Sequence, residues 1–305
     1  MQKKPLLICI VGPTAIGKTA LSIKVAEHFS CDIISADSRQ FYKEMTIGTA
    51  VPKQEELEAV KHHFIQDRSI LNPYSVGDFE KDAIKKLDDL FKKNAIAVMV
   101  GGSGLYIDAV VKGLDEFPEV PQNIREVLNR DFQEKGIEYL QNELQKKDAE
   151  YFNKVDLNNH HMIIRALEIC RSQNKTYSSF LKSTPKLRAF KTIYIGLEAP
   201  REVIYDRINR RVDQMITDGL IEEAKSLFIH KNKNALQTVG YKEVFDFMEG
   251  NTTKEETILN IKKNTRRFAK RQGTWFRKNK NINWFNYKTS TLKIFNYIEH
   301  IHPIS

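Results

Sequence analysis

Leu6–Val11 is an unbroken apolar run between Pro5 and Gly12, the pattern of a strand covered on both faces. Residues 19–29 change to helical spacing, with Ala20, Leu21, Val25 and Ala26 on one side. Residues 32–36 and 96–100 read as two further short strands. Residues 82–93 between them read as a helix turning Ile84, Leu87, Leu90 and Phe91 inward. A later strand spans residues 192–197, and Pro200 opens the helix after it, where its missing N–H is not needed. Strands alternating with helices predict an α/β fold, a parallel sheet with helices on both faces.

From about Leu114 the rhythm breaks. Pro118 and Pro121 open a stretch of helical segments, one of them ended at Gly136, with no strand pattern. The chain is therefore expected to divide into a core of residues 1–113 and 192–305 and an inserted all-helical subdomain of residues 114–191. Beyond Pro200 the pattern is mostly helical and leads to a long basic segment, residues 253–280, with a final strand and helix expected in residues 284–305.

Composition narrows the class. The 305 residues are 41% apolar and 29% charged, which supplies a full core and argues against a disordered chain. No apolar run approaches the roughly 20 residues of a membrane span, and the beginning reads as a first strand and not as a signal peptide. Cys9, Cys31 and Cys170 are isolated, so buried thiols in a reducing cytoplasm are expected instead of a disulfide framework or zinc module. The pairs His62-His63 and His160-His161 have no cysteines beside them, and adjacent side chains diverge on any regular element, so they are not read as zinc ligands. The 48 Lys and Arg against 39 Asp and Glu leave +9, which suits a polyanionic partner, though many basic enzymes bind none.

Candidate chemistry begins at Gly12-Pro13-Thr14-Ala15-Ile16-Gly17-Lys18-Thr19, a full G-x-x-x-x-G-K-[ST] match between a strand and a helix. Such a loop turns backbone N–H groups onto an anion, and the helix N-terminus adds partial positive charge. Lys18 would bridge phosphate oxygens and the Thr19 hydroxyl would sit on Mg²⁺, so a di- or triphosphate is the expected ligand. A motor-type ATPase carries an acid after its second apolar strand, but here Ile96–Val100 runs into Gly101-Gly102-Ser103-Gly104. The acid comes instead at Asp37, within Ser35-Ala36-Asp37-Ser38-Arg39-Gln40. Strand C-terminal ends converge on one crevice in an open parallel sheet, so Asp37 is expected to face the phosphate loop. There it would hold or deprotonate an acceptor, unless it only caps the next turn. The glycines at 101, 102 and 104 would let a ligand approach the backbone, with Ser103 offering a hydroxyl, or would make a plain tight turn. Two classes stay open on this reading: a kinase using ATP, and a transferase whose diphosphate leaves.

The phosphate loop is followed in order by Asp37-Ser38-Arg39-Gln40, Ile47-Gly48-Thr49-Ala50, His62-His63, Val100-Gly101-Gly102-Ser103-Gly104-Leu105-Tyr106, Arg165-Ala166-Leu167-Glu168 and Lys270-Arg271-Gln272-x-Thr274-Trp275-Phe276-Arg277. This ordered set closely resembles the bacterial tRNA dimethylallyltransferase family, over residues 6–277. The resemblance implies a P-loop enzyme moving a dimethylallyl group from its diphosphate to N6 of adenosine 37, beside the tRNA anticodon. Mg²⁺ is the implied cofactor, and the anticodon stem-loop and dimethylallyl diphosphate are the implied partners of a monomer with no membrane role. Holding an isoprenoid diphosphate would account for the missing second carboxylate.

Carried over position by position, Gly12, Pro13, Thr14, Ala15, Ile16, Gly17, Lys18, Thr19 and Arg211 would bind the diphosphate. Arg211 is the best match among Arg207, Arg210 and Arg211, a segment that on its own reads almost as readily as a solvated helix face. Lys18, Thr19 and Asp37 would act in catalysis, with Thr19 the metal ligand. Asp37, Ser38, Arg39, Gln40, Ser103, Arg125, His161, Met162, Ile163, Ile164, Arg165, Lys270, Arg271 and Arg277 would meet tRNA. The basic segment holds no acid between Asn260 and Asn283 and interleaves Trp275 and Phe276 with its charges. Alone it would more often read as a solvated helix face; with the +9 balance and the resemblance, phosphate contact is favoured. The sequence departs from the family at Asn159-His160-His161, where arginines are common, and at Val51, which replaces a common lysine. No cysteine pair follows Arg277, so the zinc-finger extension of eukaryotic relatives is not expected. The nearest alternative, a relative that prenylates free adenosine phosphates, fits less well with a helical insertion and a basic segment.

Overall fold

The apolar run Leu6–Val11 is buried at every position and forms β1 of the computed structural model, which describes residues 4–181 and 186–303. In chain order there follow α1 (Lys18–His28), β2 (Ile33–Ser35), α2 (Gln54–Ala59), β3 (His62–His63), α3 (Val76–Phe91), β4 (Ile96–Val100) and α4 (Gly104–Lys112). Next come α5 (Gln122–Lys147), α6 (Ala149–Phe152), α7 (His160–Gln173), β5 (Lys191–Glu198), α8 (Arg201–Thr217) and α9 (Leu220–Ser226). The chain closes with α10 (Tyr241–Met248), α11 (Lys254–Arg277), β6 (Ile282–Asn286) and α12 (Thr291–Ile301).

Six strands pair in the order β3-β2-β4-β1-β5-β6, every pair parallel. Successive side chains of a strand point to opposite faces, and the two faces carry separate cores. Leu7, Cys9, Val11, Ala97 and Met99 belong to one, with α3, α4 and α8–α11 supplying the rest. Leu6, Ile8, Ile10, Ile96 and Val98 belong to the other, packed with α1 and α12. That is why the strands read as continuous apolar runs and not as alternation.

The chain clusters into two compact units, one of residues up to Lys112 and from Arg188 onward, the other Gly113–Leu187. Arg188 donates to Glu80 at 2.7 Å and to the Ala109 carbonyl at 2.8 Å, and Phe190 is buried in the core, so residues 188–190 join the first unit ahead of β5. The second unit contains helices alone among its described residues. Leu128, Leu140 and Leu144 of α5 pack on Ile163, Ile164 and Leu167 of α7. Gly136 interrupts α5 with a left-handed φ of 77°, a conformation glycine adopts at low cost.

Local structure departs from the pattern in instructive ways. The two-residue edge strand β3 is too short to show a period. The helix expected from residue 82 begins at Val76, because Ser75 accepts the Asp78 N–H while the Asp78 carboxylate accepts the Ser75 N–H. Pro200 is the cap of α8 and not its first helical residue. On α1, Ala20 is exposed and Ile23 takes the inward place. All three cysteines are free and buried. Among the described residues no helix is long and apolar enough to cross a membrane.

Candidate active site

β1 ends at the phosphate loop, and the loop ends at Gly17, whose left-handed φ of 108° starts α1. Lys18 folds back so that its Nζ donates to the Pro13 carbonyl at 2.9 Å. Although Lys18 keeps intermediate exposure overall, desolvation of its ammonium lowers its pKa to about 8. Asp37 opposes that shift and Arg211 adds to it. Arg211 Nη1 lies 3.5 Å from Thr14 Oγ1. Its neighbours on α8 are spent elsewhere: Arg207 donates to the Ile16 carbonyl at 3.0 Å and lies over Tyr287, and Arg210 pairs with Asp206.

Lys18, Thr19, Asp37 and Arg211 line one cleft of about 220 Å³. It opens beside a groove of about 720 Å³ that shares Thr14, Asp37, Thr49, Ala50, Gly102 and Arg211 with it. The groove continues past Met215, Val239 and Phe268 to Arg267, Arg271 and Trp275 on α11. Asp37 follows β2, and its Oδ1 accepts the Arg39 N–H at 3.0 Å. The turn-capping role and the cleft position are thus held together. The Ser38 N–H donates to Ser103 Oγ at 3.1 Å, and Arg39 donates to the Asn234 carbonyl at 2.9 Å. Gln40 is committed to the protein: its Nε2 donates to the Thr49 and Ala50 carbonyls, and its Oε1 accepts from Ser35.

The glycine-rich turn after β4 lines the cleft and the groove, and its glycines are also required by the protein's own packing. A Cβ on Gly101 would lie 2.3 Å from the Ala36 carbonyl oxygen, one on Gly102 would lie 2.1 Å from Gln272, and one on Gly104 would lie 2.2 Å from Trp275. Backbone and helix pass where side chains would be. Gly101→Ala is accordingly expected to cost roughly 1–3 kcal/mol, read as a fall of several degrees in Tm. A variant melting with the parent would show that the turn yields freely.

Three contributors escape sequence reasoning. Gln272 accepts the Thr14 N–H and donates to the Gly102 carbonyl. Its signals are its place in the motif Lys270–Arg277 and a polar side chain at the spacing of the stripe Ile261, Ala269, Phe276. Glu223 accepts the N–H groups of Thr46, Ile47 and Gly48 at 2.8–2.9 Å and the Tyr241 hydroxyl at 2.7 Å, pinning the loop that leads to Thr49 and Ala50. Burial and the facing Glu223 carboxylate push the Tyr241 phenol up. His62, set aside as a zinc ligand, lines the cleft. Its Nδ1–H reaches the Val60 carbonyl at 2.8 Å and its Nε2 is buried without a hydrogen-bond partner.

A family profile described as IPP transferase matches residues 40–279. The chain belongs to the IPP transferase family. It is 61% identical to the tRNA dimethylallyltransferase of Christiangramia forsetii over 96% of this chain and 97% of that one. The solved tRNA isopentenylpyrophosphate transferase of Bacillus halodurans is 37% identical with a TM-score of 0.73, covering 97% of this chain and 96% of that one. A eukaryotic dimethylallyltransferase, 24% identical, shares the fold with a TM-score of 0.82 over 99% of this chain and 81% of that one.

Within this IPP transferase family member, the positions expected at an RNA surface divide. Lys270, Arg271 and Arg277 are exposed on α11, with Thr274, Trp275 and Lys278 beside the first two. Phe276 is 4% exposed and belongs to the core, so it does not interleave with the charges on an open face. Part of the basic run is also satisfied internally: Lys262 pairs with Asp213 at 2.5 Å, and Arg266 donates to Asn209 at 2.7 Å. In the second unit Ile163 and Ile164 are 0% and 2% exposed in the helical core. They are corrected from RNA contacts to packing residues. His161 and Met162 remain exposed on the other side of α7. Arg125 and Arg165 converge on the buried Glu168 at 3.3 and 2.9 Å, with Arg165 over the Phe117 ring. His160 stacks on Phe132, with ring centroids 4.4 Å apart. Burial, helped by His160 and Arg125, lowers the pKa of His161.

Proposed function

We propose that this chain transfers a dimethylallyl group from dimethylallyl diphosphate to N6 of adenosine 37 in tRNA. The observation that carries the reading is one cleft that joins a phosphate loop to an acceptor carboxylate, in a member of this family. The allylic C–O bond breaks with its electron pair on the departing diphosphate, the N6 lone pair forms the new C–N bond, and N6 loses a proton. Lys18 and the loop N–H groups stabilise the diphosphate most when its charge is greatest. Arg211 adds a second cation. Asp37 accepts the N6 proton or hydrogen bond and so strengthens a nucleophile whose lone pair is delocalised into the ring. Adenosine 37 has to leave its stack to reach the cleft, and the groove beside Asp37 offers the space.

The donor set also fits Mg²⁺. Among the described residues no three His, Cys, Asp or Glu side chains form a cage. A hydroxyl on a phosphate loop, with a carboxylate in the same cleft, suits a hard cation that completes its shell with diphosphate oxygens and water. Thr19 would hold it, and when bound it would neutralise charge on the leaving diphosphate.

Lys270, Arg271 and Arg277 are proposed to meet RNA phosphates, as are Arg125, His161 and Arg165 in the second unit. Affinity for tRNA is then expected to fall steeply with salt, and Lys270→Ala or Arg271→Ala to reduce the log–log slope by about 1 each. An unchanged slope in both variants would remove these residues from the interface. The reading as a whole is tested by incubating the protein with Mg²⁺, labelled dimethylallyl diphosphate and unmodified tRNA, then analysing nucleosides. Label in the adenosine of position 37, absent when that base is guanosine, is expected. Transfer to free AMP or ATP alone, or ATP turnover alone, would sink it. Work in the reducing cytoplasm agrees with three free buried thiols.

A further inference from the structure

Gln272 is 6% exposed on the core stripe of α11, where Leu or Met would pack without a buried amide to satisfy. Both its hydrogen bonds go to backbone groups distant in sequence: Oε1 accepts the Thr14 N–H at 2.8 Å, and Nε2 donates to the Gly102 carbonyl at 3.0 Å. One turn on, Trp275 Nε1 donates to Asp108 Oδ2 at 3.0 Å above Gly104. The same helix exposes Lys270, Arg271 and Thr274 to solvent. One face of α11 is thus fastened to the phosphate loop while another offers cations. Pro13 has no N–H and the Thr14 N–H is taken, so Ala15, Ile16, Gly17, Lys18 and Thr19 supply the loop's donors for a phosphate. They extend from a point that Gln272 holds.

We infer that Gln272 is a positioning residue that couples RNA on the exposed face of α11 to the phosphate loop's grip on the diphosphate. The inference rests on the proposed function. RNA phosphates on Lys270 and Arg271 restrict the helix, and through Gln272 they restrict Thr14 and the donors that follow it. Ordering paid for by one ligand is then not paid again by the other, and linkage makes the effect reciprocal.

The test measures the affinity of the full chain for inorganic diphosphate with Mg²⁺, by calorimetry, with and without a saturating anticodon stem-loop RNA. In the parent protein RNA is expected to tighten diphosphate binding by about 5- to 20-fold, within the usual range of coupling. Gln272→Met should reduce that factor to about 2 or less, whatever it does to diphosphate affinity alone, because the factor compares the same variant with and without RNA. Gln272→Glu keeps the acceptor for Thr14 and loses the donor to Gly102, so an intermediate factor is expected. It supplies the readout if the methionine variant does not fold. A full coupling factor in these variants, or its absence from a parent protein that binds both ligands, overturns the inference and leaves the proposed function standing. A parent protein that binds neither ligand overturns the proposed function and this inference with it.

Discussion

Asp37→Asn is expected to lower kcat by about 10²- to 10⁴-fold, the usual contribution of a positioned base, while tRNA affinity changes little. Asparagine keeps the shape, and its Oδ1 still accepts the Arg39 N–H that holds the turn, so the loss reports the carboxylate's chemistry and not a collapsed loop. If Asp37 also sits beside the cation, the Mg²⁺ concentration for half-maximal rate should rise in the same variant. Single-turnover assays with saturating tRNA separate these effects from binding. A variant with parental turnover would remove Asp37 from the reaction and leave it as a turn cap.

Lys18→Met is expected to cost about 10²- to 10³-fold in kcat/KM, comparable to removing one preorganised donor from a charge-developing site. Lys18 carries a pH signature as well. Its pKa lies near 8, below the 10.5 of a free lysine, because burial disfavours the ammonium. Between these values the unfolded chain binds the extra proton, so this group makes the folded protein more stable as pH rises from about 8 towards 10.5. A bound diphosphate reverses the preference by favouring the charged form, so binding takes up a proton above about pH 8. Diphosphate affinity in the parent should therefore weaken as pH rises through that range, and the Lys18→Met variant should lack that component. Parallel pH profiles would show that Lys18 does not titrate on binding.

The residues that carry phosphate chemistry are legible in the sequence because their signal is local. A buried run, a glycine at the helix start and Lys18-Thr19 lie within one strand–loop–helix, and Asp37 follows β2, which is separated from β1 by β4 alone. Local signals also fix the helical insertion and the final β6 and α12. What escaped depends on distant partners. Gln272 meets Thr14 across 258 positions, and nothing near either residue announces the other. Glu223 is an ordinary acid in a helix's first turn until the fold brings three consecutive N–H groups to it. The misplaced contacts had a usable local signal. Ile163, Ala166, Leu167 and Cys170 follow the i, i+3, i+4, i+7 spacing of a buried stripe, which sets them apart from His161 and Arg165. The glycines after β4 were legible as a need for space, but not as space for Ala36, Gln272 and Trp275.

β1 lies between β4 and β5. Its partner on one side is complete by Val100, but the other begins at Lys191, after the whole of Gly113–Leu187 has been synthesised. Through that interval one edge of an entirely apolar strand carries unpaired N–H and C=O groups, a template for pairing with any other chain. The helical unit, contiguous in sequence and closed by contacts between α5 and α7, needs no later residues and matures while the sheet waits. Placing the insertion ahead of β5 thus makes the nascent chain dependent on shielding of its central strand during translation, the stage at which exposed strand edges aggregate.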